Sequence, residues 1–283
     1  MDTNPVISII IVHHRTEEIL PACLQAIFAS AVDIPFEVLL VNNPATQTIP
    51  KSITEEYTVR IIGSHNRLGF GSASNIGARQ ARGEYLLFMN PDIIVKPNAI
   101  QVLYDYCIAR DNTFVTGRLT HPDGSFQPSC RRFPTVTNIL FARQSFLGRL
   151  FGNSANNYTL PDYATDTKVD SAAAALLMMP KKSYDNLNGF DESFFMYMED
   201  TDLCYRHTLK GGDIVYAPLA EASHGWGTST GKYRFRRIVW HHLSMWKYFV
   251  KHYRSPGGIL FILLLLFVNC CLSLLIELFS FRP

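Results

Sequence analysis

Apolar and polar residues fall into alternating blocks along the N-terminal part of the chain. Val6 to Val12 is dominated by Ile and Val and predicts a strand buried on both faces. Thr16 to Ala29 changes to helical spacing, with Ile19, Leu20, Cys23, Leu24 and Ile27 on one side and Thr16 and Glu17 at its start. Phe36 to Val41 and Thr58 to Gly63 predict two more strands. Ser72 to Arg82 predicts a helix opened by Gly69 and Gly71, Tyr85 to Met89 a fourth strand, and Asn98 to Ala109 a helix. This alternation predicts an α/β fold, a doubly wound, mostly parallel sheet with helices on both faces. Such sheets bind ligands beyond the carboxyl ends of their strands. Those ends are His13-His14-Arg15, Asn42-Asn43, the loop from His65 to Gly71, and Asn90-Pro91-Asp92, so the polar features of this half gather at one edge.

From about Thr113 the pattern loosens. Gly117 to Pro134 is rich in turn residues, His121-Pro122-Asp123-Gly124 among them, and Gly152 to Asp166 reads as a loop. Val169 to Met179 is small and apolar, Gly189-Phe190-Asp191 is a turn, Met198 to Lys210 is helical, and Ile214 to Ala217 is a last strand. We expect a first half over 1–112 and a second, packed on it, over 113–231.

The C-terminus departs from both halves. From Ile259 to Phe279, 16 of 21 residues are Leu, Ile, Phe or Val. Bilayer insertion of that run gains about 5 to 10 kcal/mol. We expect a transmembrane helix over 257–280, a buried core helix being the alternative. Ahead of it no Asp or Glu follows Ala222, while Lys232, Arg234, Arg236, Arg237, Lys247, Lys251 and Arg254 accumulate. Positive residues mark the cytoplasmic side of a span. Trp240, Trp246, Tyr248, Phe249 and Tyr253 lie among these charges, so 232–256 suits the headgroup layer of an anionic membrane, or else forms an amphipathic helix on the globular part.

Charge and cysteine usage narrow the class. A net charge of +2 offers no field for nucleic acid. Six cysteines without a CxxC pair suggest neither a zinc site nor a disulfide framework, but free buried thiols in a reducing compartment. Met1 to Pro5 is polar and no signal peptide follows, so the part ahead of the C-terminal span is expected in the cytosol.

Two acidic features carry chemistry. A carboxylate just past a buried strand, as at Asn90-Pro91-Asp92, can hold a divalent ion against a diphosphate. Mg2+ and Mn2+ take oxygen ligands and need few protein carboxylates when phosphates complete the shell. The triplet is equally a turn signal. Far along the chain, Glu199-Asp200-Thr201-Asp202 opens a helix beside Phe194, Phe195, Tyr197 and Met198. Acidic residues suit a helix N-terminus, but a general base for a sugar hydroxyl also needs a placed carboxylate.

In order, the stretches Ser8 to Val12, Phe36 to Asn43, Asn66 to Gly71 with Asn75-Ile76-Gly77, Ala81 to Asp92, Pro122 to Pro134, and Gly189 to Arg206 resemble the family 2 glycosyltransferases. The branch is the one that includes bacterial rhamnosyltransferases. The resemblance covers about Val6 to His224 and implies a GT-A fold and an inverting transfer from a nucleoside-diphosphate sugar. By that likeness the first half binds the nucleotide sugar and the second holds the acceptor and catalytic residues. Asp92 resembles the metal ligand, with Asn90 in the first position of its motif, and His224 a late histidine completing the shell around Mg2+ or Mn2+. Asp200 resembles the base that takes the acceptor proton, and Glu199 its neighbour. Asn66, Arg67, Gly69 and Asn75 belong to the loop that packs on the nucleotide, and His13 and Asn42 fall at nucleotide-contact positions. Asp191 resembles a sugar or acceptor contact. Arg131, Arg132 or Arg206 could face the leaving diphosphate, and Arg132 could equally hold an acceptor diphosphate. With the C-terminal span, this implies a lipid-linked, polyprenyl-diphosphate glycan acceptor and a bacterial inner-membrane enzyme with its catalytic domain in the cytoplasm.

Three departures bear on the donor. His13-His14-Arg15 replaces an Asn-Tyr-Asn, Asn42 replaces an Asp that reads the base, and Asp170-Ser171-Ala172-Ala173 replaces a Trp-Ser-Gly pattern. A dinucleotide fingerprint is excluded, because Gly69-Phe70-Gly71 does not follow the first strand and Ser74 stands where the third Gly belongs. A sugar nucleotidyltransferase and a catalytically inactive membrane scaffold remain as alternatives.

Overall fold

Ile7, Ile9 and Ile11 of strand β1 (Ile7–His13) join one hydrophobic cluster, while Ile10 and Val12 join another on the opposite face. A strand covered on both faces carries no polar alternation, which is why six of the seven residues from Val6 to Val12 are Ile or Val. The computed structural model describes residues 4–30, 32–135, 158–225, 234–253 and 256–279. Strands β2 (Phe36–Asn42) and β4 (Tyr85–Met89) flank β1 in parallel, and β3 (Val59–Gly63) extends the row beyond β2. On the other side come β10 (Leu176–Pro180), β6 (Thr113–Thr120), β11 (Asp213–His224) and β5 (Ile93–Val95). Only β10 and β5 are reversed, so six of the eight strands in this row share a direction. A short β8 (Thr167–Lys168) pairs with β11, and β7 (Cys130–Arg131) with β9 (Ser171–Ala172) forms a separate ribbon.

Helices α1 (Leu20–Phe28), α2 (Lys51–Glu56) and α4 (Ala99–Ala109) pack on one face of the sheet. Helices α3 (Phe70–Gln80), α5 (Lys181–Asn186) and α6 (Glu199–Leu209) pack on the other. Strands from either side of residue 112 share the one sheet.

Several elements differ from the sequence pattern for identifiable reasons. Helix α1 starts at Leu20 rather than Thr16, with Pro21 in its first turn, where a missing N–H is tolerated. Strand β11 runs to His224 rather than stopping at Ala217, because a register shift between Ala217 and Glu221 interrupts its pattern but not its pairing. Strand β6 is buried along nearly its whole length, though Gly117 and Arg118 disguise it. Of the expected loop at 152–166, residues 152–157 lie outside the described residues, as do Met1, Lys232 and Arg254.

Two helices close the chain. Helix α7 (Arg234–His252) buries Met245, Tyr248 and Phe249 against Phe194 and Met198, and against Ile262 and Leu266 of α8 (Pro256–Phe279). The segment Gly257–Leu278 is long and apolar enough to cross a membrane, with mean hydropathy 3.0. Its Leu260, Phe261, Leu264 and Phe267 are exposed. Four cysteines are buried and free as expected, but Cys271 is exposed, because it sits on this uncovered helix.

Candidate active site

The strands that share a direction end at one edge, and a cleft of about 290 Å³ opens there. Of the residues singled out in the sequence, the cleft is lined by Arg67, Asn90, Asp92, Arg131, Glu199, Asp200 and His224. His14 and Thr16 from the end of β1 and Ala173 to Ala175 ahead of β10 complete much of its wall.

One corner joins residues 134 positions apart. Ile93 of β5 pairs with His224 of β11, and the Gly225 N–H bonds the Asp92 carbonyl at 3.0 Å. This edge pairing sets Asp92 Oδ1 3.3 Å from His224 Nε2, and the Asn90 amide donates to the same nitrogen at 3.3 Å. The other ring nitrogen, Nδ1, donates to Gln127 Oε1 at 2.6 Å. Gln127 in turn donates from its amide nitrogen to His121 Nδ1 at 3.1 Å. Among the described residues no group of three or more His, Cys, Asp or Glu gathers as a metal site. The donor set is therefore one carboxylate and one imidazole nitrogen, 3.3 Å apart. That set fits a Mg2+ or Mn2+ ion whose remaining ligands come from phosphates or water.

A second group in the lining of the cleft is acidic. Glu199 and Asp200 begin α6, and Asp200 Oδ1 accepts the Thr201 backbone N–H at 2.7 Å. Glu199 is buried, and its Oε2 is buried with no hydrogen-bond partner. Burial, then the Asp200 charge, push the Glu199 carboxyl up to about 8. Arg131 lies within electrostatic reach of both carboxylates; burial opposes its charge, but Tyr158, Asp200 and Glu199 hold its pKa up. Immediately before Glu199, Tyr197 and Met198 both adopt left-handed backbone, φ 67 and φ 70. Two successive non-glycine residues in that region are strained by about 1–3 kcal/mol each, and surrounding structure must hold them.

Helix α7 supplies that hold. Ser244 donates to the Met196 carbonyl at 2.8 Å, Arg237 to the Tyr197 hydroxyl at 3.2 Å, and Lys247 to the Ser193 carbonyl. Lys251 bridges Asp191 at 2.6 Å and the buried Asp202 at 2.7 Å, and His252 bonds Asp202 at 2.8 Å. Burial would raise Asp191, but Lys251 and Ser193 bring it to about 2. Trp240 of the same helix lines the cleft, its ring 5.1 Å from Phe195, and Arg67 lies over both rings.

Other predicted residues are placed away from the cleft wall. The Asn75 amide spends both ends on the Gly189–Phe190 turn: its nitrogen donates to the Phe190 carbonyl and its oxygen accepts the Phe190 N–H and the Tyr184 hydroxyl. Arg206 bonds Asp202 and the carbonyls of Leu187 and Gly189. Gly69 packs so closely on the Phe195 backbone that any Cβ would collide with it. His13 is fully buried against Thr16 at 2.6 Å, and its neighbour His14 lines the cleft instead. Asn66 and Arg132 are exposed, and Asp191 belongs to the Lys251 pair. The Asn42 nitrogen donates to the carbonyls of Ala45 and Gln47, leaving a buried Oδ1 without a partner. Sequence reasoning overlooked His14, Gln127 and Trp240. The signal for Gln127 was its place in a matching stretch with no role attached; Trp240 was read as a headgroup residue or as part of an amphipathic helix on the globular part, without a place in the cleft.

Comparison with known proteins agrees with this architecture. The model of "Glycosyl transferase family 2" matches residues 8–169, more than half of the chain. Rhamnosyltransferase WbbL of Escherichia coli (strain K12) is 27% identical over 252 residues, covering 86% of this chain and 92% of its own. The N-acetylglucosaminyl-diphospho-decaprenol L-rhamnosyltransferase of Mycobacterium tuberculosis is 29% identical over 230 residues, covering 76% of this chain and 74% of its own. Among solved structures, the mannosyltransferase PcManGT from Pyrobaculum calidifontis, in complex with GDP-Man and Mn2+, superposes with TM-score 0.59 at 16% identity, over 96% of this chain and 73% of that one. GalNAc-T7 with UDP, GalNAc and Mn2+ gives 0.56 at 15% identity, over 80% and 46%. The fold is that of GT-A glycosyltransferases, and the chain belongs to glycosyl transferase family 2, on its rhamnosyltransferase-like side.

Proposed function

We propose that this glycosyltransferase moves a sugar, rhamnose in the first instance, with inversion from a nucleoside-diphosphate sugar to a polyprenyl-diphosphate-linked glycan acceptor. The acceptor lies at the cytoplasmic face of a bacterial inner membrane, in cell-surface polysaccharide synthesis. One observation carries the reading: a single cleft is lined by Asn90, Asp92 and His224 and also by Arg131, Glu199 and Asp200. The decaprenol-linked substrate in the name of the mycobacterial relative supports the acceptor class. Helix α8 supports the membrane.

The roles follow from charge. Asp92 and His224 would hold Mg2+ or Mn2+ against the donor diphosphate; when bound, the ion stabilises the negative charge that develops on the leaving nucleoside diphosphate. Arg131 adds fixed positive charge inside the cleft, where it needs no reorganisation as the glycosidic bond breaks. Asp200 takes the proton of the acceptor hydroxyl as that oxygen attacks the anomeric carbon from the face opposite the leaving group. Glu199, kept protonated at neutral pH by burial and by Asp200, donates a hydrogen bond that orients a hydroxyl.

The test is a panel of nucleoside-diphosphate sugars with and without lipid-linked acceptor, with mass detection of product. We expect metal-dependent release of nucleoside diphosphate, lost on chelation. Asp200→Asn should abolish transfer and leave donor binding nearly intact; turnover retained by that variant would remove Asp200 as the base. No release with any donor would favour the inactive scaffold.

A further inference from the structure

We infer that Gln127 is a positioning residue: it fixes the tautomer of His224 so that Nε2 presents a lone pair beside Asp92. The inference rests on the reading of Asp92 and His224 as metal ligands.

The turn chemistry of His121 to Gln127 sets the geometry. Asp123 Oδ1 accepts both the N–H and the hydroxyl of Ser125, and Gly124 takes φ 84, a left-handed value that glycine adopts without strain. The His121 N–H bonds the Ser125 carbonyl at 2.8 Å, and the Gln127 N–H bonds the Leu119 carbonyl at 2.9 Å. This tight hairpin at the end of β6 brings the side chains of His121 and Gln127 together behind His224. Gln127 is 2% exposed, so its amide finds its partners within the protein.

An amide has one donating end and one accepting end, and each is used. Oε1 can only accept, so at 2.6 Å it requires the proton of His224 on Nδ1. The Nε2 of Gln127 can only donate, and it meets His121 Nδ1 at 3.1 Å. An Nδ1–H imidazole leaves Nε2 as an acceptor, which agrees with the Asn90 amide donating to that atom at 3.3 Å. A metal ligand needs that lone pair, and the group that bonds the other ring nitrogen decides which tautomer is present. A carboxylate oxygen 3.3 Å away then faces a nitrogen that carries no proton, a pair that a cation would bridge. Reversing the amide of Gln127 would place the proton on Nε2, pointed at Asp92, and close the site to metal.

Two readouts separate this role from the metal reading. In the full chain labelled with ¹⁵N-histidine and solubilised in detergent, without metal and under mildly alkaline conditions, ¹H–¹⁵N correlation through the imidazole ring should report His224 as the Nδ1–H tautomer. Gln127→Leu should mix the tautomers, while Gln127→Glu, whose carboxylate still accepts from Nδ1–H, should keep it. Titration with Mn2+ alone, followed by the EPR signal of the free ion, should show affinity about 10- to 100-fold lower for Gln127→Leu and little changed for Gln127→Glu. An Nε2–H tautomer in the wild-type protein overturns the inference whether or not the leucine variant folds, and so does a leucine variant with unchanged tautomer and affinity. If wild-type and Asp92→Ala proteins bind Mn2+ equally poorly, the metal reading itself falls and takes this role with it.

Discussion

Asn42 stands where the family likeness places an aspartate, and its surroundings account for the neutral amide. Its nitrogen donates to two backbone carbonyls, Ala45 at 3.1 Å and Gln47 at 2.9 Å. A carboxylate there would set an acceptor against acceptors in a buried site. We expect Asn42→Asp to lower stability by about 1–3 kcal/mol, read by thermal unfolding, before any effect on donor choice. Glu199 gives a second prediction at this scale. Its carboxyl ionises near 4.5 ordinarily and near 8 in the fold, so the folded state holds the extra proton between those values. The stability this contributes is whole below about 4.5 and is lost as pH rises through about 8. Glu199→Gln should flatten that slope in denaturant titrations across the window; an unchanged slope would show that the group titrates normally. Neither effect was legible from residue identity. The sequence placed Asn42 at the end of a strand and Glu199 at a helix start, but hydrogen bonding to Ala45 and Gln47, and burial beside Arg131, arise only from tertiary packing.

Among elements, α7 most changes the picture. Its basic residues read in sequence either as headgroup contacts or as one side of an amphipathic helix on the globular part, and Lys247 and Lys251 turn inward to the segment that precedes and opens α6. Asp202, with no exposed surface, is the knot between the two helices, bonded by Arg206, Lys251 and His252. Burial alone would protonate it, but His252, Arg206 and Lys251 keep it ionised. Asp202→Ala should therefore cost about 1–3 kcal/mol, because it removes the bonds that tie α6 to α7 and takes the buried His252 ring's partner away, and the loss should appear in equilibrium unfolding. Helices and strands whose periodicity is strong and local, β1 to β4 and α3, α4 and α6, were legible within a residue or two. Strand β5, only three residues long and directly after the Asn90-Pro91-Asp92 turn, was not, and that strand is what brings Asp92 to His224. Long-range pairing of this kind leaves no local periodic trace, so only the family likeness, and not the pattern of residues, put Asp92 and His224 in one shell.

At the scale of the molecule, the globular part and α8 present different surfaces. The residues that α8 shares with α7, Ile262 and Leu266, are covered, and most of the remainder is bare apolar surface. Its 24 residues span about 36 Å, enough for a hydrocarbon core of about 30 Å. We expect the chain to remain with membranes through washes with concentrated salt and alkali and to leave only with detergent; release by salt alone would reduce α8 to a peripheral contact.

Trp240 belongs at once to the cleft wall and to the helix that abuts α8. With α8 in a bilayer, an acceptor tethered to a lipid reaches the cleft by diffusing in two dimensions. In mixed micelles the rate at saturating donor should then follow the mole fraction of acceptor in the micelle, not its bulk concentration. Adding inert detergent would slow the enzyme by surface dilution even while the molar concentrations of enzyme, donor and acceptor stayed fixed.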